Sequence, residues 1–335
     1  MGRHERLFGL SLLAAVLAAC TSTGVLAPGA PTPVQSSPNG STGAPRSPSS
    51  PLPVESPSLP PAAALPTPVP LTQAAIESCP VTFPNGSTPP HERYPSPDHH
   101  GNGALWATLG PGGKIVIRPG GAKEDGSILW KMGWYRGVRG KVSVAGRRLD
   151  APAPPAQGHY DIEGYGDLGF QAGSVHFPSE GCWEITGRVG EASLTFVTLV
   201  VKVSFDPAWP HWGPEGSVIK DYDVTDLPKT IRLIFGQHVV DGDQVTWGEG
   251  EMSVETTQGV WENRGPYPDA ATQQLMVHGQ PGVCVQGGRD EQGQWQAGAD
   301  LGALEWTGGG FSYRVSYIEW GLGCDDLLHI AEQLS

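Results

Sequence analysis

FPSEGCWEITGRVGEASLTFVTLVVKV, residues 177–203, is the stretch whose reading decides the fold. It reads as a β-hairpin. The first arm is 182–186 and the second is 193–203, with Gly187 and Gly190 expected to bracket the turn, where glycine supplies the positive φ of a tight connection. The second arm is dense in Thr195, Phe196, Val197, Thr198, Val200, Val201 and Val203. β-Branched and aromatic residues favour a strand over the competing helix. Its nearly continuous apolar run predicts cover on both faces. Side chains alternate along a strand, so Trp183 and Ile185 share one face, with Trp183 in the core, and Cys182 and Glu184 share the other.

Working outward, the 335 residues allow about two domains. Only 16% are charged, while Gly (47) and Pro (33) are abundant, a balance that favours a turn-rich, mainly β protein. The formal charge of -13 excludes nucleic acid as a natural partner, since phosphate binding needs basic patches. At the N-terminus Arg3 and Arg6 precede an apolar run, 7–19, that ends in Leu17-Ala18-Ala19-Cys20. A basic start, a short apolar core and small residues before a cut make a secretory signal. The Leu-Ala-Ala-Cys end resembles the lipobox of bacterial lipoproteins. That resemblance implies cleavage before Cys20 and a diacylglycerol on its sulfur, hence a membrane partner through lipid. Residues 21–78 are dominated by Pro, Ser, Ala, Thr and Gly. They read as an extended tether that cannot bury enough apolar surface to fold. Cys79, Cys182, Cys284 and Cys324 remain, an even number that predicts two disulfides in an exported chain. Cys79–Cys182 and Cys284–Cys324 is the pairing that stays within each of two domains.

Short strands are expected at 103–109, 114–117, 127–135, 141–145 and 169–176, then the hairpin, with turns at Ala145-Gly146 and Gly166-Asp167. That spacing predicts a β-sandwich over 79–206. The segments 101–106 (GNGALW), 137–150 (GVRGKVSVAGRRLD), 165–171 (YGDLGFQ) and 177–190 resemble a family of bacterial exported lipoproteins with no assigned activity. Its hallmark is a Gly-Cys-Trp-Glu-hydrophobic-Thr-Gly strand. The resemblance implies an immunoglobulin-like sandwich and an envelope location. Residues 207–214 lie in a Pro- and Trp-rich run that reads as a linker. The segment 215–335 is acidic, with 6 basic against 19 acidic residues, where 79–213 balances 12 against 12. It reads as a smaller α+β domain, with strands at 230–236, 244–256, 274–277, 282–286, 303–307 and 311–317. A closing helix at 325–334 follows from Leu327, Ala331 and Leu334 at helical spacing. Parts of it, around Trp306, Tyr313 and 326–334, resemble a C-terminal domain of envelope lipoproteins and anti-sigma-factor-like proteins.

Three constellations could carry chemistry. His91, Asp98, His99 and His100 are of zinc-ligand type, and a metal-dependent hydrolase is the alternative they raise. Adjacent His99 and His100 would diverge on a strand, so a solvated loop is the plainer account. Asp221, Asp223, Asp226, Asp241 and Asp243 are of calcium-ligand type but lack the spacing of a calcium loop. Eleven Trp are present; Trp209 and Trp212 would stack on a sugar or wedge two domains together. Neither a nucleophile elbow nor a phosphate loop nor a dinucleotide fingerprint occurs, and no cofactor is implied. The expectation is a membrane-anchored, extracytoplasmic binding or envelope-sensing protein. Its ligand would be a protein or cell-wall component, and a wall-carbohydrate module is a further alternative.

Overall fold

The computed structural model describes residues 69–335 apart from 91, 93–95, 162–163, 212, 215, 226–228, 243, 262–266, 291 and 298–299. Cys20, most of the tether, His91 and Trp212 lie outside the described residues. The chain is mainly β with one C-terminal helix of note, as composition and patterning predict.

The organising hairpin is Gly181–Val189 paired antiparallel with Ala192–Lys202, Val189 opposite Ala192. It lies inside a seven-stranded sheet. From one edge this runs Lys114–Ile117, Ala192–Lys202, Gly181–Val189, Ser143–Arg148, Ala156–Tyr160, Gly173–Phe177 and Ile128–Lys131. Every pairing is antiparallel except Lys114–Ile117, which runs parallel to Ala192–Lys202. A four-stranded sheet of His99–Gly101, Leu105–Thr108, Trp134–Arg136 and Gly169–Gln171 packs over it. One hydrophobic core unites Leu105, Ala107 and Trp134 from the smaller sheet with Val175, Trp183, Ile185, Phe196 and Val200 from the larger. The Trp134 indole N–H donates to the Tyr160 hydroxyl at 3.0 Å, so the central ring is both packed and satisfied.

Two glycines expected in turns are strand residues instead. Gly187 sits in mid-strand because the Trp134 ring lies against it: a Cβ there would fall 2.1 Å from Trp134 Cη2. The turn needs only Gly190, at φ 55°. Gly146 likewise lies inside Ser143–Arg148, directly opposite Ile185, whose Cδ1 would stand 2.4 Å from a Cβ at that position. Three expected strands each divide: 244–256 becomes Gln244–Trp247 and Glu251–Gln258, and two in the sandwich divide because their halves belong to different sheets. The chain leaves Ile128–Lys131 and crosses to Trp134–Arg136; it leaves Gly169–Gln171 and crosses back to Gly173–Phe177. Pattern alone does not show such a crossing, since both halves are apolar on alternate residues.

The run 69–78, read from sequence as tether, is part of the fold. Thr72 caps a short helix, Gln73–Ser78, by accepting from the Ala75 amide at 3.2 Å. Leu71 is buried with Leu199, Val201 and Val224. This packing is the cover on the second face of Ala192–Lys202 that the continuous apolar run demands. Cys79 then bonds Cys182, and the Val69 carbonyl accepts from Arg148.

Residues 217–335 build an eight-stranded antiparallel sheet. Its path is Ser217–Thr225, Thr230–Asp241, Glu251–Gln258, Phe311–Ile318, Leu301–Gly308, Gln280–Gln286 and Thr272–Val277, with Gln244–Trp247 beside the far end of Thr230–Asp241. The first of these strands, like His99–Gly101 and Ala156–Tyr160, has no clear apolar period and goes unmarked in the strand reading. The closing helix is Cys324–Ala331, shorter than expected. Asp326 accepts from the Gly323 amide at 2.8 Å, and Leu327, Ile330 and Ala331 are buried against the sheet. Cys284–Cys324 pins the helix start to Gln280–Gln286, the strand next to one edge of the sheet.

The described residues fall in one compact unit, 62–335. Val203, Phe205 and Ala208 pack into the core of the eight-stranded sheet. Lys114, on the edge of the sandwich, donates to both Asp221 oxygens at 2.9 and 3.0 Å and to the Tyr222 carbonyl at 2.7 Å.

Candidate functional site

The four-stranded sheet has an outer face, and sequence alternation decides what stands on it. In Leu105-Trp106-Ala107 the flanking residues face the core, so Trp106 faces out; in Trp134-Tyr135-Arg136 it is Tyr135. Gly101 lies opposite Trp106, Trp106 opposite Tyr135, and Tyr135 opposite Phe170. One row therefore crosses all four strands: Gly101, Trp106, Tyr135, Phe170. Cross-strand neighbours on one face are close enough for rings to interact. Tyr135 and Phe170 are 5.0 Å apart at 52°, and Tyr165 meets Phe170 edge-on at 6.1 Å.

Glycines let these rings lie down on the sheet. A Cβ on Gly101 would sit 1.9 Å from the Trp106 indole, and one on Gly133 would sit 2.5 Å from the Phe170 ring. Trp106 is only 3% exposed and forms the closed end of the row, its N–H donating to Ser87 Oγ at 3.1 Å. Phe170 (43%) and Leu168 (46%) form the open end. The result is a cleft of about 480 Å³ lined by Pro89, Pro90, Glu92, Tyr135, Phe170 and their neighbours.

The polar groups of the cleft are few. The Tyr135 hydroxyl hydrogen-bonds Glu92, and burial, that bond and the Glu92 charge together push its pKa up. Arg136 turns its guanidinium away, donating to the carbonyls of Gly140 (2.7 Å), Tyr165 (2.8 Å), Gly169 (3.2 Å) and Leu168 (3.3 Å). Its charge staples the loop that carries Phe170 and is spent on carbonyls.

His99 backs this cleft: its ring meets Tyr135 edge-on at 5.5 Å. Burial lowers the pKa of His99, with the Glu92 charge opposing, and burial also lowers that of His100. Both Nδ1 atoms are buried without a hydrogen-bond partner. The two residues are successive on one strand, so they point to opposite faces. Among the described residues no group of three His, Cys, Asp or Glu side chains converges on a point. The Asp221 and Asp223 carboxylates are each turned to a protein cation, Lys114 at 2.9 Å and Arg232 at 3.8 Å.

Asp98 carries a testable pH effect. Burial pushes its carboxyl up to about 6 from an ordinary 3.8. A raised folded-state value means that the protonated form favours folding. The stability Asp98 lends is complete below about pH 4 and is lost as pH rises through about 6. Asp98→Asn is therefore expected to raise stability at pH 7 by about 2 kcal/mol and to change little at pH 4. Denaturant melts of both proteins across that range check it; parallel pH profiles would contradict it.

Trp209 is 36% exposed, and its backbone exchanges hydrogen bonds with Ser335 at 3.2 and 3.3 Å. Next to it, Ala208 and Ser335 help line a second cavity of about 340 Å³ with Asp206, His278, Trp306 and Tyr313. There the two rings stack on each other, 5.2 Å apart at 15°, and Trp306 is 5% exposed, so their faces are used within the protein. Among the described residues, the row ending at Phe170 is an open aromatic surface that the Trp-based reading does not include.

No protein-family model and no curated protein matches the chain. A solved structure described as "surface layer protein SbsC, domains 4-9" aligns over 63% of this chain and 30% of its own, at 14% identity and a TM-score of 0.22. The two disulfides, by contrast, are crosslinks that persist outside a reducing cytosol and mark a secreted or extracellular protein.

Proposed function

We propose that this is a lipid-tethered envelope protein that acts by binding, not by catalysis, and that its ligand enters the cleft over Tyr135 and Phe170. One observation carries the reading: a concave row of aromatic rings, open at Phe170, on a rigid sheet, with a carboxylate at its rim. Small-molecule sites have this make-up, an apolar floor with a few placed polar groups. The Leu17-Ala18-Ala19-Cys20 end supports the tether, and the Pro-rich run after it supports a stalk that holds the folded part off the membrane.

Co-sedimentation of the detergent-solubilised full chain with isolated envelope material tests the binding half. Phe170→Ala is expected to weaken retention at least tenfold, and Trp209→Ala to leave it unchanged. Equal retention of all three proteins would overturn the site. Cys20→Ala tests the tether: lipid labelling is expected to vanish, and persistent labelling would refute it.

A further inference from the structure

Resting on that reading of the cleft, we infer that its ligand is a neutral glycan, stacked by a pyranose ring on Phe170 and Tyr135 and held through its hydroxyls by Glu92.

Charge removes one class of ligand. Arg136, the cation at the cleft, has its guanidinium on four main-chain carbonyls. The chain as a whole carries -13. Among the described residues lining the cleft, phosphate- or carboxylate-rich polymers would meet no further cation, and Glu92 would repel them.

Hydrogen-bond polarity removes a second class. A Pro-rich peptide offers mostly carbonyl acceptors, because proline lacks an N–H, and grooves that bind it must supply donors. Among the described side chains lining the cleft the donors are spent: the Trp106 N–H goes to Ser87, the Tyr135 hydroxyl bonds Glu92 and the Arg136 guanidinium holds carbonyls. What the rim offers is a carboxylate, which when ionised only accepts. Its complement is a ligand rich in donors, and sugar hydroxyls are that.

Shape favours the same class. The Phe170 ring meets Gly133, at which a Cβ would be 2.5 Å from it, and the residue remains 43% exposed between Tyr135 and Tyr165. A flat ring suits the C–H face of a pyranose; the aliphatic side chains among the described lining residues are Leu168 and the short rings of Pro89 and Pro90, too little for an acyl chain. About 480 Å³ accommodates one or two sugar rings and not a folded domain.

The test uses envelope material in three forms, mock-treated, protease-treated and periodate-oxidised, sedimented with the full chain. Periodate cleaves the carbon–carbon bond between neighbouring hydroxyls, so it opens pyranose rings that carry such a pair and spares peptide backbone. Periodate is expected to reduce Phe170-dependent retention at least tenfold, and protease to leave it. Phe170→Leu separates ring from apolarity: it keeps a hydrophobic side chain at an exposed position and is expected to lose retention as fully as Phe170→Ala. Retention that survives periodate and falls with protease, or that Phe170→Leu preserves, overturns the glycan while leaving the cleft as a binding site. Retention that never depends on Phe170 overturns both.

Discussion

Removing the Cys79–Cys182 disulfide by paired Ser substitutions is expected to cost on the order of 4–5 kcal/mol, the chain-entropy figure for so long a loop. The bond spans 103 residues. It fastens 69–82 to Gly181–Val189, and that segment covers the outer face of Ala192–Lys202 through Leu71 and Val81. Its loss therefore frees chain and uncovers apolar surface together. The second bond spans 40 residues, and its loss is expected to cost slightly less, about 4 kcal/mol. Denaturant unfolding of the two variants, with proteolysis near 69–82 as a local readout, checks both magnitude and order. Cleavage near 69–82 no faster than in the intact protein would contradict this role of the first bond.

Gly187→Val is expected to destabilise by about 3 kcal/mol, the upper end of what overpacking costs. The clash is with Trp134, a fully buried ring from the opposite sheet that has no room to move. Displacing it also breaks its hydrogen bond to Tyr160. Gly190→Ala, three residues on, is the contrast. No atom lies within 4 Å of a Cβ there, and the cost is that of a left-handed backbone, about 1 kcal/mol. Equal losses from the two substitutions would contradict the packing role of Gly187.

These two glycines also show where the sequence stops being readable. The hairpin is legible because its second arm is β-branched throughout, and the doubly covered strand follows from the same run. The expected disulfide pairing, Cys79–Cys182 and Cys284–Cys324, is the one formed, although the described residues make one compact unit. A strand glycine and a turn glycine look alike, however, until the ring that lies on one of them is known, and Trp134 comes from another sheet. The cleft fails to show for the same reason. Trp106, Tyr135 and Phe170 each stand at the outward beat of a short alternation, but only strand pairing puts them side by side. The nearby glycines 101 and 133 are the faint signal, since each makes room for a ring. Divergence of His99 and His100 follows from the two-residue repeat of a strand, but the solvated loop expected there is instead strand His99–Gly101 with His99 buried.

The most direct test of the cleft is hydrogen exchange of the full chain, read peptide by peptide, with and without solubilised envelope material. Slower exchange is expected in His99–Gly101, Leu105–Thr108, Trp134–Arg136 and Gly169–Gln171, the four strands beneath the aromatic row. Protection confined instead to the segment around Trp209 and to Cys324–Ala331 would contradict it.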